Sequence, residues 1–222
     1  MGVTIVSIDR YEGETDDILK KIAEAGEEKP EKNKATEEEK KEFDKGHGNR
    51  VLSLALFCST IDEFSSEDFK TLVKMGFCEA PASTKYHGSH VGGLLEHSCC
   101  VAGELCELSL KMDLKWERTD SPAIIGLFHD LCKIDQYIKN EDGTYSWNKE
   151  VDQRHAEKSV EYIEKYTHIV LTDEERACIL HHMGAFGDSE AQRAYSEAVK
   201  KYPNVLWTHT ADMLASQIKE AQ

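Results

Sequence analysis

From Arg50 to the C-terminus, apolar positions recur at spacings of three and four, the period of helices that bury one face. Val51 to Cys58 is an apolar run that reads as a buried helix. Ser65-Ser66-Glu67 ahead of Phe69, Leu72 and Val73 predicts a capped helix ending near Gly76. Ala80 to His90, with Pro81 and two glycine-flanked histidines, predicts a loop. Leu94 to Met112 predicts a long amphipathic helix, and Pro122 to Lys133 a second with proline in its first turn. Asp142-Gly143, within Asn140 to Val151, marks a turn with room for a small hairpin. Further helices are predicted over His155–Tyr166, Asp173–Met183, Ser189–Tyr202 and Asn204–Lys219. The fold class is all-α.

The first 49 residues follow another pattern. Val3, Ile5 and Ile8 alternate weakly, as in a short strand or an ordered terminus, and Asp16 to Ala25 reads as a short helix. Gly26 to Asn49 is almost devoid of apolar residues, so it reads as a solvated linker or as an exposed charged helix after Thr36. The expected organisation is an N-terminal extension and charged linker over 1–49, then a helical domain over 50–222.

Composition narrows the function classes. The chain has 222 residues, 40% hydrophobic and 31% charged, as in ordinary globular proteins. No apolar run is long enough to span a bilayer, and MGVTIVSIDR lacks the basic and apolar regions of a secretory signal, so a cytoplasmic protein without a membrane partner is expected. A formal net charge of −15 disfavours long nucleic acid, which is bound by phosphate neutralisation. A nucleotide substrate stays open, because bound divalent ions reverse the field inside a pocket. The seven cysteines are odd in number and show no Cys-x-x-Cys spacing; they read as reduced thiols packed as small apolar residues.

Polar residues on faces that should be buried carry the candidate chemistry. His97 continues the stripe of Leu94, Val101, Leu105 and Leu108. His129 lies one turn after Ile125 and is followed by Asp130. His182 lies one turn after Cys178 and Ile179, and Asp212 shares a face with Val205, His209 and Ala215. Singly, each has a bland reading as a satisfied core histidine or a helix-to-helix tether. Together they are explained by one divalent-metal site, for which imidazole and carboxylate are suitable ligands.

The ordered strings GGLLEHS, GLFHDLCK and HTADMLAS resemble the HD-domain metal-dependent phosphohydrolase superfamily over roughly Gly88 to Gln222, with HDLCK matching its His-Asp-x-x-Lys signature. The resemblance implies a helical bundle in which His97, His129, Asp130 and Asp212 hold a first metal ion. It is the two-metal branch that is resembled, since His155 and the pair His181–His182 stand where further ligands are expected. His182 is the better placed of the pair, and His181 remains an alternative. The implied cofactors are two divalent ions, with iron, manganese, nickel, cobalt and zinc all suited. The implied activity is hydrolysis of a small phosphate ester such as a nucleotide by a metal-activated hydroxide, with Asp130 bridging the ions and Lys133 contacting phosphate or hydroxide. His87 and His90 are candidates for the pocket mouth, and His209 for orienting Asp212 or binding phosphate. Tyr145 and Trp147 either stack on a base or simply pack. A mixed-valent di-iron oxygenase of the same architecture and a non-catalytic nucleotide sensor are the competing readings.

Overall fold

The computed structural model describes residues 37–220, so the strand and helix expected before Gly26 lie outside the described residues. The residues from Lys41 onward form one compact unit. Among the described residues there are eight α-helices and one two-stranded hairpin, which makes the fold all-α. None of these helices is long and apolar enough to cross a membrane.

Helix α1 (Glu37–Cys58) joins the charged stretch after Thr36 to the apolar run from Val51, and passes without a break through Asn49 and Arg50. Helix α2 (Ser66–Lys74) begins with a capping box, in which the Ser65 hydroxyl accepts from the Asp68 amide and the Asp68 carboxylate accepts from the Ser65 amide. The loop that follows leads into α3 (Gly93–Lys111), whose N-cap is Gly92 at φ 83°. A side chain at Gly92 would be strained, and its Cβ would stand 2.2 Å from Arg50 Cδ.

Helix α4 (Ser121–Phe128) is the centre of the domain, and all eight of its residues are buried. It passes so close to α3 that a Cβ on Gly126 would lie 2.3 Å from the Ala102 Cα. Phe128, at its end, stacks on Phe64 at 5.9 Å and tilts against Phe77 at 6.3 Å. The close approach fixes where the residues after Phe128 emerge. Gly126→Ala must push two buried backbones apart, so a destabilisation of about 2–3 kcal/mol is expected. Thermal melts should show it as a fall in Tm of roughly 4–12 °C; an unchanged Tm would mean the helices are not locked at this crossing.

Sequence places one more helical stretch from Pro122 to Lys133, but α4 ends at Phe128. Asp130, at φ −107° and ψ 17°, breaks the helix, and a 3-10 turn follows over Leu131–Ile134. Strands β1 (Tyr137–Lys139) and β2 (Tyr145–Trp147) then pair antiparallel, Tyr137 opposite Trp147. Helix α5 (His155–Tyr166) leads to α6 (Asp173–Leu180), which starts with a Thr172/Glu175 capping box. Glu175 is fully buried, and it also accepts hydrogen bonds from Arg118 and the Ser121 hydroxyl, tying α6 to the start of α4. Helices α7 (Ser189–Lys201) and α8 (Asn204–Leu214) follow, and α8 runs into a π-helical turn over Ala215–Lys219.

Candidate metal centre

The breaks at the ends of α4 and α6 create the site. Adjacent residues of an α-helix point about 100° apart. The helix stops between His129 and Asp130, and this lets both side chains face the same point. Helix α3 presents His97 to it, α8 presents Asp212, α5 presents His155 at its first residue, and the end of α6 presents His182. His97, His129, Asp130 and His182 are each at most 2% exposed.

Asp130 is the hub. Its Oδ2 lies 3.6 Å from His97 Nε2 and 3.5 Å from His129 Nε2, and its Oδ1 lies 2.8 Å from His155 Nε2 and 3.6 Å from His182 Nε2. Asp212 Oδ1 is 3.3 Å from His97 Nε2. Ligand atoms around one divalent ion at its usual bond length stand roughly 3–4 Å apart, so these spacings suit coordination. Ligand atoms of His97, His129 and Asp130, of His129, His182 and Asp212, and of Asp130, His155 and His182 each lie within 4.8 Å of one another.

The second nitrogens of the rings show which atoms are free to coordinate. His129 Nδ1 donates to the Gly126 carbonyl at 2.9 Å, and His182 Nδ1 to the Ile179 carbonyl at 2.7 Å. Carbonyls only accept, so both rings carry their proton on Nδ1 and turn an Nε2 lone pair inward. His129 Nε2 and Asp130 Oδ1 are buried and have no hydrogen-bond partner. The 2.8 Å approach of His155 Nε2 to Oδ1 lacks hydrogen-bond alignment. Such atoms carry a desolvation cost that a cation between them removes. The cluster can therefore hold a metal ion.

Electrostatics point the same way. Burial alone would raise the Asp130 carboxyl, but Lys133, His129 and His155 outweigh it and hold the group well below its ordinary value. Lys133 Nζ stands 2.6 Å from Asp130 Oδ2. The 3-10 turn explains that contact, since residues three apart eclipse in it. Burial would lower Lys133, yet Asp130 pushes it up to about 12, so it is an ammonium ion. His129 is lowered by burial and is neutral.

No protein-family model matches the chain, and no solved structure matches it. A curated relative does. Dihydroneopterin 2',3'-cyclic phosphate phosphodiesterase of Methanocaldococcus jannaschii is 36% identical over 74 residues, which cover 30% of this chain and 28% of the relative. The chain thus matches little more than a quarter of that protein's length.

The remaining expected residues fall at different distances from the hub. The His87 ring tilts against His97 at 4.9 Å, and burial lowers its pKa, so it lines the site as a neutral ring. His209 Nδ1 donates to the His182 carbonyl at 2.8 Å, and so braces the peptide beside a cluster histidine. His90 is exposed and lies 3.5 Å from Glu96. His181 caps α6, and its ring atoms are in none of the groups gathered around Asp130. Trp147 packs edge-on against Tyr137, and the Tyr137 phenol is raised by burial against the pull of nearby Lys133. His47 and His168 take no part in the cluster and approach Glu79 and Asp68 at 2.5 and 2.6 Å.

Two neighbours had not been expected from the sequence. Cys132 Sγ lies 3.2 Å from His155 Nδ1, and Glu220 Oε1 lies 2.9 Å from His97 Nδ1. All seven cysteines are free thiols, and burial pushes Cys132 up to about 12, so it meets His155 as a neutral group.

Proposed function

We propose that this chain is a metal-dependent phosphodiesterase of the HD-domain kind that hydrolyses a small phosphate ester. The observation that carries the reading is the way Asp130 divides its oxygens. One faces His97 and His129 and the other faces His155 and His182, with both orphaned lone pairs turned inward. This division supports a site for two ions, in which His97, His129 and Asp212 would hold one, His155 and His182 would hold the other, and Asp130 would contribute to both. Bound divalent ions at such a site supply hydroxide near neutral pH and accept charge on phosphoryl oxygens.

The chain's own groups have separable tasks. Asp130 holds the two halves of the site in register. Lys133, fixed as an ammonium beside Asp130, meets a phosphoryl oxygen with a charge-assisted hydrogen bond. His87 closes the side next to His97 as a neutral ring. In the reaction water adds to phosphorus and one ester P–O bond breaks, so a cyclic diester opens to a monoester.

The relative's name supports a diester, and a cyclic one in particular, within the broader class of nucleotides and related phosphate esters. The deciding experiment strips the protein with chelator, restores manganese, iron, cobalt, nickel or zinc one at a time, and offers 2',3'-cyclic nucleotides, linear dinucleotides and a chromogenic diester. Turnover with at least one ion is expected, and none with any ion would end the proposal.

Lys133→Ala gives a sharper check. Loss of one charge-assisted contact is worth about 1.5–3 kcal/mol, so kcat/KM should fall roughly 10- to 150-fold with the bound-ion count unchanged. A fall in metal content of the same size would show instead that Lys133 serves only to hold Asp130.

A further inference from the structure

Each buried histidine of the cluster needs a partner for its second nitrogen, and the chain solves this in two ways. His129 and His182 stand just beyond the last turns of α4 and α6, where the final carbonyls lack an amide four residues on, and each ring donates to the carbonyl three residues back. His97 takes another route. It sits inside the first turns of α3, where the carbonyl three residues back, on Leu94, is already engaged by the helix. Its Nδ1 instead meets the Glu220 carboxylate at 2.9 Å, while its Nε2 faces Asp130 and Asp212.

The π-helical turn is what makes that contact reachable. Eight residues separate Asp212 from Glu220, and an ideal α-helix would carry Glu220 about 80° past the face of Asp212. The turn over Ala215–Lys219, closed by the Glu220 amide donating to the Ala215 carbonyl at 3.0 Å, winds more slowly and takes up that excess. Both carboxylates of one helix thereby reach the two nitrogens of one imidazole. π-turns are rare and are frequent at functional sites.

We infer that Glu220 is a positioning residue for the metal centre: it accepts the His97 Nδ1 proton, fixes the tautomer that offers Nε2 to the ion, and raises the basicity of that nitrogen. The inference rests on the metal-dependent reading proposed above. Removing a partner of this kind typically weakens metal binding about 10- to 100-fold.

The test is calorimetric titration of manganese(II) into chelator-treated full-length protein. Glu220→Ala should bind one ion 10- to 100-fold more weakly and leave the other unchanged. Glu220→Gln keeps an acceptor but not the charge, and should lose only about threefold to tenfold. Lys219→Ala, which removes an ion pair to Glu104 from the same turn, should bind as wild type does. Wild-type affinity in both Glu220 variants, or equal weakening by Lys219→Ala, would overturn the inference. If Glu220→Ala does not fold, Glu220→Gln against Lys219→Ala decides. A wild-type protein that takes up no ion would fail the metal reading itself, a different result from any of these.

Discussion

Asp130→Ala is expected to release the bound ions and to lower phosphodiester turnover by a factor on the order of a thousand or more. Every half of the cluster faces one of this carboxylate's oxygens, so no other single side chain touches as much of it. Alanine also strands Lys133, a largely but not fully buried ammonium whose partner is Asp130, and stranding such a charge costs up to about 3–5 kcal/mol. Asp130→Asn therefore accompanies it, since the amide oxygen can still accept from Lys133 while the charge that holds the cations is gone. Metal analysis of both purified variants, beside kinetics on a chromogenic diester, separates loss of the site from loss of the fold. An Asp130→Asn protein that keeps its ions and its rate would show that the hub lies elsewhere.

Much of this site was legible before the structure, for a physical reason. A helix that buries one face declares which residues sit on it, and His97, His129, His182 and Asp212 stood on apolar faces where an unpartnered polar group is costly. Their convergence is a stronger fact than the periodicity, since spacing says which face a residue occupies and not which faces meet. The 3.3 Å approach of Asp212 to His97 supplies that part. The capped start of α2 was likewise readable from Ser65, because the capping box is a local pattern.

What escaped the sequence depends on departures from ideal helices. A continuous helix through Lys133 would have splayed His129 and Asp130 apart; the break at Asp130 and the 3-10 turn that follows bring them together and place Lys133 over Asp130. Glu220 lies in a mostly polar stretch after Asp212 with no apolar stripe to flag it, and the π-turn brings it to His97. The contact between Cys132 and His155 joins residues 23 apart through the packing of α5 on the 3-10 turn. The adjacent pair His181–His182 could not be divided by period alone. Geometry separates them, for His182 is 1% exposed with its Nδ1 on a carbonyl, whereas His181 is half-buried at the cap of α6.

Divalent ions should raise thermal stability strongly, and more so as pH rises from about 6.5 to 8.5. A ligand that binds the native chain alone adds RT ln(1 + [L]/Kd), about 4 kcal/mol at a thousandfold excess over Kd. For a domain of this size that is a Tm increase of roughly 8–16 °C over chelator-treated protein. The pH dependence comes from His97. Burial would lower its pKa, but its hydrogen bonds to Asp212 and Glu220 and the charge of Asp130 overcome burial and lift it to about 9 in the metal-free protein. A group raised in this way stabilises the metal-free fold below its unfolded value near 6.5, and that contribution is lost as pH climbs through 9. An ion at Nε2 must displace the proton there, so its apparent affinity should improve by up to about tenfold per pH unit below 9. The two trends diverge, and the gap between loaded and stripped protein widens with pH. Paired melts with manganese or chelator at pH 6.5, 7.5 and 8.5 measure that gap. A gap that is constant or shrinking would mean that His97 carries no proton for the ion to displace.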